Sequence, residues 1–253
     1  MRCRARCSTS CYGTQMKLSV WGLLVLLSIP AGFAGAQDLQ QTDAKREEAE
    51  QLKLLEEGAI LLKSRRAQEA IPRFDKVVAF YEAKYGGSTE KIYCARSIAE
   101  TLFYLTKHAN EKKTKASVVR VWCDAQFLKA YALVELGRIA EAKTALEAAV
   151  VLSPSNSQYL SELGNVYLRE RNWQKALDVY QAAEEAAQIA EPQLKQGYLA
   201  RAHRGAGYAL IELDRLDEAE AKYKQSLALD PGDKLAPNQL EYIRQLRAKR
   251  AGR

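Results

Sequence analysis

Histidine is almost missing from this chain: 253 residues contain two, His108 and His203, 95 positions apart. Neither has cysteines or clustered carboxylates at ligand spacing nearby, so no metal centre is expected. There is no G-x-S-x-G nucleophile motif, no Gly-rich phosphate loop, and no segment that stands out as a strand. Adjacent acids such as Glu184-Glu185 and Asp217-Glu218 fall where solvated helix faces are expected, not a catalytic dyad. Enzymatic chemistry has no residues to carry it here, and no cofactor is expected. Cysteine is unevenly placed. Three of the five, Cys3, Cys7 and Cys11, crowd the first residues beside Arg2, Arg4 and Arg6. Their spacing would suit a metal, but no further ligand lies close, and a start at Met16 explains the stretch more simply.

Long apolar runs are lacking too. The longest, Leu18 to Ile29, is about a dozen residues, short of the ~20 that span a bilayer as a helix. Met16-Lys17 precedes it, and Pro30 and Ala34-Gly35-Ala36 follow. A basic start, a short apolar core and an A-x-A site together read as a secretory signal peptide over residues 1–36. Cleavage would leave Gln37 first, and with no cysteine there a lipid anchor is not expected. The expected location is the periplasm or the extracellular space.

Acids are absent at both ends. Residues 1–36 hold four of the 38 cations, and the tail 244–253 holds Arg244, Arg247, Lys249, Arg250 and Arg253. The body between them carries 29 cations against 31 acids, so the net charge of +7 does not signal nucleic-acid binding. The tail reads as a solvated end, with contact to acidic lipid or protein as the alternative.

What the chain does have is period. Ala142 and Ala176 are 34 residues apart, and each closes a similar phrase, Gly137-Arg138-Ile139-Ala140-Glu141-Ala142 and Arg171-Asn172-Trp173-Gln174-Lys175-Ala176. Two more copies end at Ala70 and Ala219. Three residues before each alanine stands Ala67, Ile139, Trp173 or Leu216; four after it stands Phe74, Leu146, Tyr180 or Tyr223. Apolar residues at i, i+3, i+4 and i+7 make each unit two amphipathic helices. Small residues in the first helix let its partner approach, and Pro154 and Pro231 stop the second. One pair cannot bury its apolar face alone, so the pairs must stack.

These positions resemble the tetratricopeptide repeat family. Residues 157–190 match at Leu160, Leu163-Gly164, Tyr167, Ala176, Tyr180 and Ala183; residues 200–233 match at Ala206-Gly207, Leu210, Ala219, Tyr223 and Pro231. Residues 123–156 match at Ala130, Leu133, Ala142, Leu146, Ala149 and Pro154, and residues 51–84 at Leu54, Gly58, Leu61, Ala70 and Phe74. The family's early tryptophan is missing throughout. The resemblance implies an all-α fold, an α-solenoid of stacked antiparallel helix pairs over residues 45–250. A disordered linker is expected at 37–44 and a closing cap helix at 236–248.

Spacing between the copies is uneven. Ala70 to Ala142 is 72 residues, two periods plus four, which places one degenerate repeat at 85–122. Gly86-Gly87 breaks the chain, Ser88 or Thr89 can cap a helix reaching about Lys107, and Asn110 can cap the next. That helix either stops near Asp124 or runs on to Leu136. Ala176 to Ala219 is 43 residues, with the excess between Glu184 and Tyr198. Cys94 and Cys123 are equidistant from the proposed turn at His108–Asn110, so an antiparallel helix pair would bring them level for a disulfide. Two separate buried thiols are the alternative.

In the resembled family the first helices line a concave groove that takes a partner. Carried over, the lining is Asp124, Phe127, Tyr131, Val134 and Glu135; then Gln158, Ser161, Asn165, Leu168 and Arg169; then Arg201, Arg204, Tyr208, Ile211 and Glu212. Asn165 would hold a peptide backbone. Arg169, Arg201 and Arg204 would form a basic wall for an acidic or C-terminal carboxylate. Phe127, Tyr131 and Tyr208 would give apolar contact. The expected function is a non-catalytic interaction scaffold or assembly factor outside the cytoplasm, with a protein or peptide partner. The alternative is a permanent structural subunit of an envelope or secretion complex.

Overall fold

The computed structural model describes residues 32–111 and 115–251, with side chains from Asp43 onward. The expected leader lies outside the described residues up to position 31. The repeat body starts at Ala44, and the described residues before it, 32–43, belong to a separate unit.

The described elements are α1 (Gly32–Lys63), α2 (Ala67–Tyr85), β1 (Lys91–Cys94), α3 (Ile98–Glu111), β2 (Ala116–Val119), α4 (Val121–Glu135) and α5 (Ile139–Leu152). They continue with α6 (Ser157–Arg169), α7 (Trp173–Ala186), a 3-10 turn (Ala187–Ile189), α8 (Pro192–Glu212), α9 (Leu216–Leu229) and α10 (Leu235–Ala251). The repeats are antiparallel pairs: α1–α2, α4–α5, α6–α7 and α8–α9. They stack in chain order into an α-solenoid, and α10 closes the array against α9.

Three of the four pairs are held by an aromatic ring lying on backbone, and in α4–α5 buried Leu146 takes the place of the ring. A Cβ on Gly58 would come within 2.5 Å of the Phe74 ring, on Gly164 within 2.8 Å of Tyr180, and on Gly207 within 2.9 Å of Tyr223. Tyr180 is also covered by the next repeat, since a Cβ on Gly205 would overlap its ring. Phe74, Tyr180 and Tyr223 are buried, as are Ala70, Ala142, Ala176 and Ala219. Those alanines sit where a longer side chain would push the second helix outward.

The turn between the helices of a pair is also repeated. Arg65, Gly137, Arg171 and Asp214 adopt left-handed φ of 59°, 74°, 58° and 66°. The next residue is the N-cap of the second helix. Where it is arginine, it forms a two-pronged pair with the glutamate three residues on: Arg66–Glu69, Arg138–Glu141 and Arg215–Glu218. Asn172 instead accepts from the Lys175 N–H as a helix cap.

Three expectations need correction. Residues 37–44 are helical rather than a disordered linker, because no glycine or proline interrupts the stretch between Gly35 and Gly58. Residues 85–122 are not a repeat in the stack. α2 packs directly on α4, with Trp122 stacked on Tyr81 and Tyr85 at 5.9 and 6.1 Å. Between them β1–α3–β2 is looped out, its strands paired in parallel from Lys91↔Ala116 to Cys94↔Val119. Parallel strands need a crossover, and α3 supplies it. The break ahead of α4 comes at Arg120, so the solenoid keeps its register. Thirdly, the tail is no loose cation cluster. α10 lays Arg247 against Asp217 and Glu220 and Arg250 against Asp214, while Arg244 pairs with Glu241. The extra length near 184–198 goes into the 3-10 turn and an extended α8, begun by Pro192 at its first turn.

Glu184 is likewise not on a solvated face. It is partly buried, with Lys222 Nζ of α9 at 2.6 Å and His203 Nδ1 of α8 at 3.0 Å, and so ties three helices together. Burial alone would raise its carboxyl pKa; the adjacent His203 and the hydrogen-bonded Lys222 outweigh this and hold it below the ordinary value. A depressed carboxylate stabilises the fold above the ordinary glutamate range and loses that contribution as pH falls through the depressed value. Urea unfolding of wild type and Glu184→Gln should therefore differ at pH 7, and the difference should shrink only as pH falls below the ordinary glutamate range. A constant difference would remove the ion pair from the stability of the α7–α9 layer.

Two glycines of one helix give the sharper test of packing. Gly197 has open space where a Cβ would go, and Gly205 has the Tyr180 ring. Gly197→Ala should stabilise by about 0.5–1 kcal/mol through helix propensity. Gly205→Ala should destabilise by about 1–3 kcal/mol through overpacking. Chemical unfolding of both variants reads the signs directly.

Candidate groove on the first helices

α4, α6 and α8 present their open faces to one groove. Its main cavity, about 580 Å³, is lined by Phe127, Tyr131, Val134 and Glu135 of α4, Glu162, Asn165, Leu168 and Arg169 of α6, and Tyr208 of α8. A second cavity of about 510 Å³ shares Phe127, Tyr131, Glu135 and Glu162 with it and adds Lys63, Arg65 and Arg201. Five of the seven expected groove residues therefore line the main cavity: Phe127, Tyr131, Asn165, Arg169 and Tyr208.

Their environments differ. Phe127 stacks on Tyr159 at 4.8 Å and forms floor. Tyr131 and Tyr208 are 50% and 40% exposed, so their rings are available for contact. Asn165 is less free than expected. Its Oδ1 accepts from the Tyr180 hydroxyl at 2.6 Å, and its Nδ2 donates to Glu162 Oε2 at 3.1 Å. Burial first, then the charge of Glu162, push the Tyr180 hydroxyl above its ordinary pKa, so it stays a donor. The amide is thus oriented from behind, with one N–H left for a ligand.

The three-arginine wall does not form. Arg204 points to the chain after α9, at 3.2 Å from Asp233 and 3.5 Å from Asp230. Arg201 sits at the groove but is neutralised by Glu162 at 2.6 Å. Arg169 is exposed and forms no ion pair among the described residues. Of the expected wall, this one guanidinium remains beside the two tyrosines.

The first rows of the expected groove are occupied by the looped-out segment. Arg96 donates to Gln158 at 2.8 Å and lies 3.4 Å from Asp124, which also accepts from the Tyr159 hydroxyl at 2.7 Å. Burial works against the Arg96 charge, but Asp124 and nearby tyrosines and Glu100 hold its pKa above the ordinary value. Ser153 Oγ donates to the Cys94 carbonyl at 2.8 Å, and the Tyr104 hydroxyl accepts from Ser155 N–H at 2.9 Å. Cys94 and Cys123 lie in bonding position with Cα atoms 6.1 Å apart. They meet as a strand end and the first turn of α4, not as two levels of a helix pair. Sequence reasoning missed this anchor because Lys91–Cys94 and Ala116–Val119 are four residues each, too short to show alternation. The Ser117-Val118-Val119 run was the one signal for it.

Comparison with known proteins agrees with this architecture. Residues 127–192 and 200–233 match two family models, each described as tetratricopeptide repeat. No curated protein matches the chain. Among solved structures, MamA from Desulfovibrio magneticus RS-1 is 16% identical, covering 78% of this chain and 86% of its own, with a TM-score of 0.53. Another MamA crystal structure is 15% identical, covering 76% and 84%, with a TM-score of 0.51. These likenesses are of fold. The chain carries tetratricopeptide repeats, built as an all-α solenoid of stacked helix pairs.

Proposed function

We propose that the protein is a non-catalytic interaction scaffold whose groove takes an extended or helical segment of a partner protein. The observation that carries this reading is the main cavity: an apolar floor, two half-exposed tyrosines and the Arg169 guanidinium, open between three helices. The favoured segment has a large apolar or aromatic anchor between Tyr131 and Tyr208 and a single carboxylate for Arg169. The carboxylate belongs to an acidic side chain or a C-terminus. A wider acidic tract is not favoured, because Glu135 and Glu162 share the groove and Arg201 and Arg204 already hold acids.

We place this activity outside the cytoplasm. Support comes from the leader pattern at residues 1–36 and from the position of Cys94 beside Cys123, which suits an oxidising compartment.

Selection of peptides from a random displayed library on the purified protein tests the groove. Enriched peptides should pair an aromatic or large aliphatic residue with a nearby carboxylate. Arg169→Glu should weaken their binding about 10- to 100-fold with no change in melting temperature. Equal enrichment on a Tyr131→Ala/Tyr208→Ala variant would move the binding site elsewhere. Export has its own readout in the intact mass of the native protein: a first residue of Gln37 and no free thiol at Cys94 or Cys123. A chain that retains residues 18–36 in the cytosol would reject it.

A further inference from the structure

The looped-out helix α3 is inside out. Its buried face carries Glu100, Tyr104 and His108 at four-residue spacing. These polar groups are satisfied. Glu100 accepts from the Arg96 N–H at 2.7 Å, Tyr104 from Ser155, and His108 Nδ1 lies 3.4 Å from the Tyr93 hydroxyl. Tyr93 stacks flat on Tyr104 at 5.0 Å. The opposite face is apolar and bare: Ile98, Leu102 and Leu105 are 81%, 60% and 37% exposed, and Ala109 is exposed with them. Intervals of four, three and four residues place all four on one stripe of the helix. α3 packs on β2 and the 3-10 turn, and its exposed stripe lines neither groove cavity.

We propose that the stripe pairs two copies of the chain, α3 against α3, antiparallel about a two-fold axis. The stripe is complementary to its own reverse. With Leu102 opposite Leu105 of the second copy, Ile98 falls opposite Ala109 at both ends. A large side chain meets a small one there, and two leucine layers fill the centre. At 100° per residue the flanks of the stripe are Thr101 and Thr106, both uncharged, so two copies meet without like charges. The antiparallel direction also sets each helix N-terminus beside the other's C-terminus. A lipid surface fits less well, because a membrane-lying helix carries cations along its flanks and these are threonines. A dedicated foreign helix would be selected by flanking charges, which are also missing. Four side chains per copy fall short of the ~800 Å² per partner of stable complexes. The dimer is therefore weak, with a dissociation constant of about 10⁻⁴ M.

Sedimentation velocity of the purified full chain, from about 5 µM to about 1 mM, tests the pairing. Wild type should shift from monomer to dimer across that range. Leu102→Glu should raise the dissociation constant more than about tenfold, because it sets an unpaired carboxylate against Leu105 of the other copy. Ile60→Glu, a similarly exposed apolar site on α1, should change nothing. Circular dichroism checks that the variants are folded, and Leu105→Gln replaces Leu102→Glu if it is not. The proposal fails if wild type stays monomeric, if Leu102→Glu dimerises like wild type, or if Ile60→Glu dissociates the dimer equally. Monomers that float with phosphatidylglycerol vesicles through Leu102 would assign the stripe to lipid and overturn it as well.

Discussion

In three of its four helix pairs the solenoid depends on one contact, an aromatic ring of the second helix pressed against bare backbone of the first. Tyr180 shows it most fully, because its ring touches Gly164 of its own pair and Gly205 of the next. A methyl group at either glycine has no room. Interiors packed at crystal density transmit such a mismatch rather than absorb it. The distance within a pair and the distance between pairs are therefore set by the same side chain. Phe74 on Gly58 and Tyr223 on Gly207 repeat the within-pair half of this arrangement.

The contact also reaches the groove. The Tyr180 hydroxyl emerges on the open side of α6 and fixes Asn165, which in turn orients Glu162 and, through it, Arg201. Four side chains from α6, α7 and α8 thus form one polar chain beneath the rim of the cavity. Arg169, Tyr131 and Tyr208 stand clear of it. The looped-out β1–α3–β2 segment shortens the groove from the other end by engaging Asp124 and Gln158 through Arg96. What is left is a compact cavity on three helices, not a trough along the whole array.

The stacked pairs were legible in the sequence because glycine, alanine and aromatic positions recur at a fixed period, and the physics of close approach demands those residue types. That Phe127, Tyr131, Asn165, Arg169 and Tyr208 share one cavity followed from the same period. Arg204 did not, because its register was right but its partner, Asp233, lies 29 residues on in the chain after α9. The segment after Gly87 was misread for a different reason. Its length is close to a full period, and its strands are too short to announce themselves. Its helix hides polar groups and exposes apolar ones, so amphipathic patterning points the wrong way. Glu184 looked solvated for a similar reason, since His203 and Lys222 come from two later helices.

A double-mutant cycle on Tyr180 and Gly205 tests the ring-on-backbone contact most directly. Urea unfolding of Gly205→Ala, Tyr180→Leu and the double variant measures whether the glycine is needed because of the ring. If it is, the cost of Gly205→Ala should vanish or reverse once Tyr180 is leucine, giving a coupling of about 1–3 kcal/mol. Additive effects, within about 0.5 kcal/mol, would mean that Gly205 is small for some other reason and that the ring does not set the spacing of the repeats.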